Sequence, residues 1–246
     1  LPTGYLFFIS AMQANELAKL ALEAETLDAA TFKKRAKAIL DTKANPALNA
    51  VDIALFGRMV ADTPELNVDA AVQVAHALGV AKTDTEFDYF TAIDDRSPED
   101  NTGAGMIGTV EFTSATLYRY ATIDVAHLFE NLGSAEAAAE AGKAFIKAFA
   151  TSMPTGKQNT FANRTLPAAI VAQVRTTQPV SLVNAFELPV SAKDAKSQVE
   201  IACERLVNQE KLTDAAFGVK PDKTFVVCAA PGTSVLEELS NDASCS

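Results

Sequence analysis

Cationic side chains are concentrated in one short stretch of an otherwise acidic chain. Residues 31–43 hold five lysines and arginines and one carboxylate, whereas the 246-residue chain has a net charge of −10. Lysine and arginine neutralise phosphates, so this stretch is a candidate contact for nucleic acid. On a helix, Lys33 and Lys37 share a face at i,i+4, and Lys34 lies about 100° around the axis. A solvated helix face accounts for the same residues, and both interpretations stay open at this level.

Other residue types that perform catalysis or bind metals do not form a recognisable set. His76 and His127 lie in apolar segments, where a hydrogen-bonded core histidine is more common than a base or a ligand. Asp94 and Asp95 have no third ligand at a fixed spacing, and adjacent strand residues face opposite sides. The glycines at 103–108 precede a strand and not a helix N-terminus that would bind phosphate. The sequence therefore predicts no catalytic residue, no metal site and no cofactor, and we expect a protein that is not an enzyme.

An aromatic pair, Tyr89 and Phe90, is followed by Thr91 within acidic and glycine-rich sequence. Exposed aromatic rings stack on the bases of single-stranded nucleic acids. Such a pair also serves as a core anchor, and the residues alone favour that second interpretation.

Composition indicates a globular protein of the cytoplasm. Its 48% hydrophobic and 21% charged residues are ordinary for a folded soluble chain. Cys203, Cys228 and Cys245 are odd in number and widely spaced, which favours a reducing compartment and disfavours a zinc site. No apolar run approaches the roughly 20 residues that cross a bilayer, so no membrane contact is expected. The chain opens Leu-Pro-Thr-Gly, without an initiator Met or a signal peptide, which suggests that the natural N-terminus is absent.

Helical and strand-like patterns are interspersed along the chain, which predicts the α+β class. Capping residues and apolar spacing predict helices over 5–25, from Asp28 to about Leu40, from Asp124 to Gly133, from Ser134 to before Pro154, over 192–211 and over 234–239. Period-two spacing predicts strands over 72–80, 109–122, 169–175, 180–186 and 224–228. Residues 49–59 fit a strand or a short helix, and residues 83–108 form the least regular stretch. Phe145, Ile146 and Phe149 are expected to form the buried face of their helix.

Several unusual runs closely resemble the CasC family, whose order they follow and whose spacing they nearly match. That family is the CRISPR RNA (crRNA)-binding backbone subunit of the type I-E CRISPR Cascade complex. The runs are residues 51–59 (VDIALFGRM), 87–95 (FDYFTAIDD), 108–112 (GTVEF), 118–121 (YRYA) and 156–161 (GKQNTF). The family also has a long N-terminal segment, with the first palm strand and many basic residues, that this chain is expected to lack.

The resemblance implies an RRM-like (ferredoxin-like) palm sheet with a helical finger insertion and an extended thumb loop. Residues 1–70 are then the fingers. Residues 71–246 are the palm, which includes the thumb at 83–113 and the C-terminal αβ elements.

The resemblance also implies a non-catalytic subunit whose copies assemble head to tail along crRNA for RNA-guided recognition of foreign DNA. The implied partners are crRNA, target DNA through the crRNA, other copies of the chain and other Cascade subunits. The implied RNA-binding residues are Met59, Arg58, Tyr89, Phe90, Thr91 and Ile107, near a displaced nucleotide. Those implied for DNA are Lys33, Lys34 and Lys37.

Two alternatives differ in class. The first is an RRM-like CRISPR RNA-processing endonuclease, which would need an acid–base set that the sequence does not display. The second is a protein-interaction module without nucleic acid, in which the basic helix is merely solvated.

Overall fold

The long helices begin where the sequence supplies a capping side chain. Ser10 Oγ accepts a hydrogen bond from the Gln13 backbone N–H at 2.9 Å, and the Gln13 side chain accepts one from the Ser10 N–H at 3.1 Å. The Asp28 carboxylate accepts from the N–H groups of Ala30 and Thr31 at 3.0 and 2.9 Å. These side chains bond the first free N–H groups of the helices they start.

The computed structural model describes residues 6–92, 106–191 and 196–240. The α-helices are α1 (Ala11–Leu22), α2 (Ala29–Leu40), α3 (Val51–Phe56), α4 (Val125–Leu132), α5 (Ala135–Thr151), α6 (Gln158–Phe161) and α7 (Gln198–Phe217). The strands are β1 (Val72–Val74), β2 (Leu78–Gly79), β3 (Glu86–Ala92), β4 (Met106–Phe112), β5 (Leu117–Tyr118), β6 (Ala121–Ile123), β7 (Ala169–Val174) and β8 (Lys223–Cys228). The predicted α+β class is confirmed.

The chain divides into two units. The first consists of Leu1–Ala75 and Tyr120–Leu166, and the second consists of His76–Arg119 and Pro167–Ser246. The chain therefore leaves the first unit after β1 and returns to it before β6.

The core of the first unit lies between the short β1–β6 pair and helices α3, α4 and α5. Its strands are antiparallel, with Val72 opposite Ile123. Leu55, Leu128 and Phe145 are buried in this core. Phe145 and Phe149 stack with ring centroids 6.0 Å apart, so this part of the predicted helix face is confirmed. Ile146 is exposed, because it lies about 100° around the helix from Phe145.

The second unit is built on the antiparallel β7–β8 pair, with Ala169 opposite Cys228 and Val174 opposite Lys223. Helix α7 and a 3₁₀ turn at Ser234–Leu239 cover one face of this sheet. The buried residues of this layer are Cys203, Val207, Leu236 and Leu239. The other face carries exposed Val174, Phe225 and Val227. Two further pairs, β2–β5 and β3–β4, belong to the same unit.

A buried polar cluster lies between α7 and the covered face of the β7–β8 sheet. Glu210 is buried, and its Oε1 accepts a hydrogen bond from Gln173 and lies 3.8 Å from an Arg175 nitrogen. Within the described residues, Glu210 Oε2, Asp214 Oδ1 and Thr224 Oγ1 have no hydrogen-bond partner. Burial raises the pKa of Glu210, and the Asp214 carboxylate raises it further, while the Gln173 hydrogen bond and Arg175 act in the opposite direction.

Several predicted elements differ from those observed. The single strand expected at 109–122 is three short strands, because β4, β5 and β6 each pair with a different partner. The strand expected at 72–80 is likewise split into β1 and β2. Residues 183–186 form a 3₁₀ turn and not a strand, and the helix expected at 192–211 begins only after Ser197, whose hydroxyl caps it. The stretch expected to be irregular contains β3 and β4, which form a regular antiparallel ladder.

No helix among the described residues is long and apolar enough to span a membrane.

Candidate nucleic-acid interface

Gly57 ends α3 with a backbone conformation that other residues rarely adopt. Its φ angle is +79°, and an added Cβ would lie 2.8 Å from the Val68 carbonyl oxygen and 3.0 Å from the Ala70 nitrogen. Glycine is therefore required here both by the dihedral angle and by the close approach of the neighbouring backbone. The sharp exit from the helix sets the directions of Arg58 and Met59.

The Arg58 side chain points into the first unit and is only 6% exposed. Its guanidinium donates four hydrogen bonds to backbone carbonyls: two to Leu66 at 3.2 and 2.9 Å, one to Phe8 at 3.1 Å and one to Leu40 at 3.2 Å. It also lies 4.9 Å from the centre of the Phe7 ring. Burial lowers the pKa of this guanidinium from its ordinary value. In this conformation the Arg58 side chain joins three segments of the chain, and its predicted RNA contact stays a prediction.

Met59 lies next in the chain and is 84% exposed. It borders a shallow concavity that is also lined by Phe56, Asn67 and Asp69. The flexible thioether of an exposed methionine packs against many shapes of partner. Met59, which the family resemblance places near a displaced nucleotide, is therefore accessible to a ligand.

The backbone beside Met59 is fixed by side-chain hydrogen bonds. The Asn67 amide oxygen accepts from the Val60 N–H at 2.6 Å. The Asn131 amide donates to the carbonyl of Asp69 at 3.0 Å, and His127 Nε2 lies 3.1 Å from the same oxygen. His127 is thus hydrogen-bonded as expected, but it is only half-buried and is not a core residue. His76 is exposed and does not lie in a core either.

The three predicted DNA-binding lysines lie on α2 and are exposed. Lys37 forms an ion pair with Glu65 at 2.5 Å, and this pairing lowers the pKa of Glu65. Arg35 pairs with Glu23 at 2.6 Å. Neither Lys33 nor Lys34 forms an ion pair within the described part of the chain. These two lysines are therefore the cations of α2 that remain available to an anionic partner.

The β3–β4 hairpin lies in the second unit and carries the other predicted RNA-binding residues. Its register places Tyr89 opposite Thr109, Phe90 opposite Gly108 and Thr91 opposite Ile107. Successive residues of a strand face opposite sides of the ladder. Tyr89, Thr91 and Ile107 therefore share one face, which we call the tyrosine face, and Phe90 lies on the other. All seven residues of β3 are exposed.

Phe90 and Gly108 form a cross-strand pair on the face opposite Tyr89. A Cβ added to Gly108 would lie 2.6 Å from the Phe90 ring, so the ring covers the glycine backbone. This contact explains why Phe90 is only 38% exposed while its neighbour Tyr89 is 62% exposed. An aromatic ring over a glycine in the opposite strand is a known way to stabilise a ladder.

The structure thus distributes the predicted site over the two units. Met59, Arg58 and the three lysines belong to the first unit, and the hairpin residues belong to the second. One exposed aromatic residue of the hairpin, Phe87, was not among the predicted RNA-binding residues. Phe87 precedes Tyr89 by two residues, so recognising residues 86–92 as a strand would have placed both side chains on the same face.

Among the described residues, no three histidine, cysteine or carboxylate side chains come together as metal ligands would. Asp94 and Asp95 and the glycines at 103 and 105 lie outside the described residues.

Comparisons with known proteins point to one functional class. A structure described as a "CRISPR RNA-guided surveillance complex, pre-nicking" contains a chain that is similar with a TM-score of 0.78 and 31% identity over 95% of this chain. A second, described as a "CRISPR RNA-guided surveillance complex", is similar with a TM-score of 0.66 and 29% identity over 92% of this chain. This chain spans 65% of the length of the first and 77% of the second. No curated protein matches it.

The fold is therefore that of chains found in RNA-guided CRISPR complexes. The sequence pattern of the CT1975-like proteins matches residues 1–244, and the chain belongs to this family. The resemblance to Cascade backbone subunits that the sequence displays is confirmed.

Proposed function

We propose that this protein is a non-catalytic backbone subunit of a type I-E CRISPR Cascade complex in the cytoplasm. It binds crRNA, and its copies assemble head to tail along that RNA. Other Cascade subunits bind within the same complex. Residues 1–70 act as fingers and residues 71–246 as an RRM-like palm, with residues 83–113 as the thumb. Target DNA is recognised by pairing with the crRNA, so the protein reads the backbone and shape of RNA and not its sequence.

The observation that carries this proposal is the composition of the exposed hairpin. A two-stranded ribbon is marginally stable by itself and needs a surface to cover its apolar residues. Strands β3 and β4 nonetheless expose Phe87, Tyr89, Met106 and Ile107. Exposed apolar residues of this number mark an interaction site. The structural similarity to RNA-guided complexes makes RNA and neighbouring copies the partners that fit.

Met59 supports the same function from the first unit. Its side chain extends from a backbone that Gly57, Arg58 and Asn67 hold in place. Displacing one base from a stacked strand costs a few kcal/mol, which contacts with apolar side chains offset. A methionine fits beside any base, as a sequence-independent subunit requires.

Assembly on a guide RNA tests the proposal. The purified chain is mixed with a guide RNA and imaged by electron microscopy, and the RNA is then analysed for cleavage. We expect regular multi-copy assemblies and an intact RNA. Met59→Asp should abolish the regular assemblies, whereas Leu22→Asp, at another exposed apolar position of the first unit, should not. Absence of RNA-dependent assemblies in the unmodified chain would refute the proposal, and metal-independent cleavage would favour an RNA-processing enzyme.

A further inference from the structure

Phe87 and Tyr89 form a pair of exposed aromatic side chains on one face of the hairpin. They are two residues apart in β3, so both belong to the tyrosine face. Phe87 is 65% exposed and Tyr89 is 62% exposed. Within the described residues neither ring contacts another aromatic ring. Neither ring is therefore stacked on an aromatic neighbour in the described residues, and most of each side chain is open to a planar partner.

The spacing of the two residues fits one nucleobase. Alternate residues of an antiparallel strand are about 6.8 Å apart, since each residue advances the strand by about 3.4 Å. Stacked bases follow one another at about 3.4 Å along a nucleic-acid strand. A base placed between two side chains that stand perpendicular to the ladder would then lie at stacking distance from both rings.

We propose that Phe87 and Tyr89 form an aromatic clamp that holds one unpaired base of single-stranded RNA between their rings. This inference rests on the proposed RNA-binding function and adds Phe87 as a binding residue. Ile107 and Thr91 lie farther along the same face, toward the Ala92–Met106 end of the paired strands, and provide an uncharged surface for the next nucleotide. Contact with a ring face is tolerant of base identity, as a subunit that binds any guide requires.

The distribution of charge favours RNA on this face and not on the other. The two carboxylates of β3, Glu86 and Asp88, project from the opposite face. The tyrosine face carries one carboxylate, Glu111, which lies opposite Phe87 at the base of the hairpin. From Tyr89 to the end of the strand the face is uncharged, so a phosphate that accompanies the bound base meets least repulsion there.

The experiment uses the absence of tryptophan from the sequence. Phe87→Trp in the full chain introduces a single fluorescent reporter at the clamp, and Met106→Trp introduces one at an exposed position on the opposite face. Each variant is titrated with a short oligouridylate, which has no base-paired structure. We expect quenching of the emission of Phe87→Trp, because the indole stacks on a base, and an unchanged emission from Met106→Trp.

Affinity measurements provide a second readout. Phe87→Ala and Phe87→Leu should each weaken oligouridylate binding about tenfold, because stacking on one base contributes roughly 1–3 kcal/mol. Phe87→Tyr keeps an aromatic ring and should bind like the unmodified chain. Equal affinities for the leucine and tyrosine variants would show that no stacking occurs.

The outcomes separate this inference from the proposed function. If the chain assembles on RNA but Phe87→Trp is not quenched, the clamp is refuted and the proposed function stands. If its emission changes with protein concentration in the absence of RNA, the face joins copies of the chain, and the clamp is again refuted. If the unmodified chain binds no RNA at all, both are refuted.

Discussion

Arg58 and Met59 are adjacent in the chain but face opposite environments. The guanidinium of Arg58 is buried and bonded to three separate backbone segments, whereas the thioether of Met59 is in solvent. The turn at Gly57 directs one side chain inward and the other outward. Stability and binding are therefore assigned to neighbouring residues, and substitutions at the two positions should separate these properties.

Arg58→Ala should destabilise the first unit. The substitution leaves the carbonyls of Phe8, Leu40 and Leu66 without their charged donor, and we expect a loss of about 2–4 kcal/mol in the free energy of unfolding. Met59→Ala removes an exposed side chain and should change this free energy by less than about 0.5 kcal/mol. Urea denaturation measures both. A stability of Arg58→Ala equal to that of Met59→Ala would contradict the tethering role of Arg58.

Gly108→Ala should disturb the hairpin through Phe90. The new methyl group would collide with the Phe90 ring, and we expect faster amide hydrogen exchange in β3 and β4. Combining it with Phe90→Ala removes the collision and should restore most of the protection. Gly142→Ala is the matched control, because nothing lies within 4 Å of the added carbon and the residue is in helix α5. This control should stabilise the helix by up to about 1 kcal/mol.

Lys33→Glu combined with Lys34→Glu should weaken target-DNA binding in the assembled complex more than it weakens guide binding. Both lysines are exposed and free of ion pairs within the described residues, so both are available to phosphates. Loss of two phosphate contacts should reduce the slope of log affinity against log salt by about 2. Lys143→Glu combined with Lys147→Glu, at exposed positions of α5, changes the net charge by the same amount and is the control. An unchanged DNA affinity at fixed salt would show that α2 does not contact DNA.

Glu210 should make the stability of the second unit depend on pH. Burial raises the pKa of this carboxyl, so the folded state holds its proton more tightly than the unfolded state, whose pKa is near the ordinary value of 4.5. The resulting decrease in the free energy of unfolding is absent below pH 4.5 and grows as the pH rises toward the folded-state pKa. Each pKa unit between the folded and unfolded states corresponds to about 1.4 kcal/mol in the free energy of unfolding.

Glu210→Gln keeps the shape of the side chain and removes the titration. We expect the stability of this variant relative to the unmodified chain to increase as the pH rises above about 4.5. Glu237→Gln, which makes the same substitution at an exposed position of the same unit, is the matched control. Thermal unfolding at a series of pH values provides the comparison. Parallel pH profiles for the unmodified chain and Glu210→Gln would rule out the raised pKa.

Three helix starts could be predicted because capping is local, whereas the helices expected from residues 5 and 192 begin at Ala11 and Gln198. Asp28, Asp124 and Ser134 each bond the N–H groups of the next turn, and the helices begin at the predicted residues. Strand boundaries were less predictable, because they depend on distant partners. Residues 109–122 have a continuous period-two pattern, but pairing with β3, β2 and β1 divides them into three strands.

The candidate site was predicted mainly through the resemblance to a known family. The sequence around Arg58 does not indicate that this side chain is buried. The carbonyls to which Arg58 donates belong to residues 8, 40 and 66, which are distant from it in the chain or lie in separate segments. Nor does the sequence show that Phe90 and Tyr89 lie on different faces until 86–92 is read as a strand. Phe87 was missed for the same reason. Phe87 and Tyr89 alternate with the acidic residues Glu86 and Asp88, and this alternation was not recognised as a strand pattern.

The one-sided cover of the β7–β8 sheet has a practical consequence for handling the isolated chain. The uncovered face of this sheet exposes three apolar side chains, those of Val174, Phe225 and Val227. The outer edges of β7 and β8 pair with no further strand in the described residues. Such edges promote aggregation, and natural proteins often guard them with lysine. Val227→Lys would place a lysine on the uncovered face of the sheet. The packing of Val226 toward α7, on the covered face, would not change. Soluble material for crystallisation is best sought with this variant.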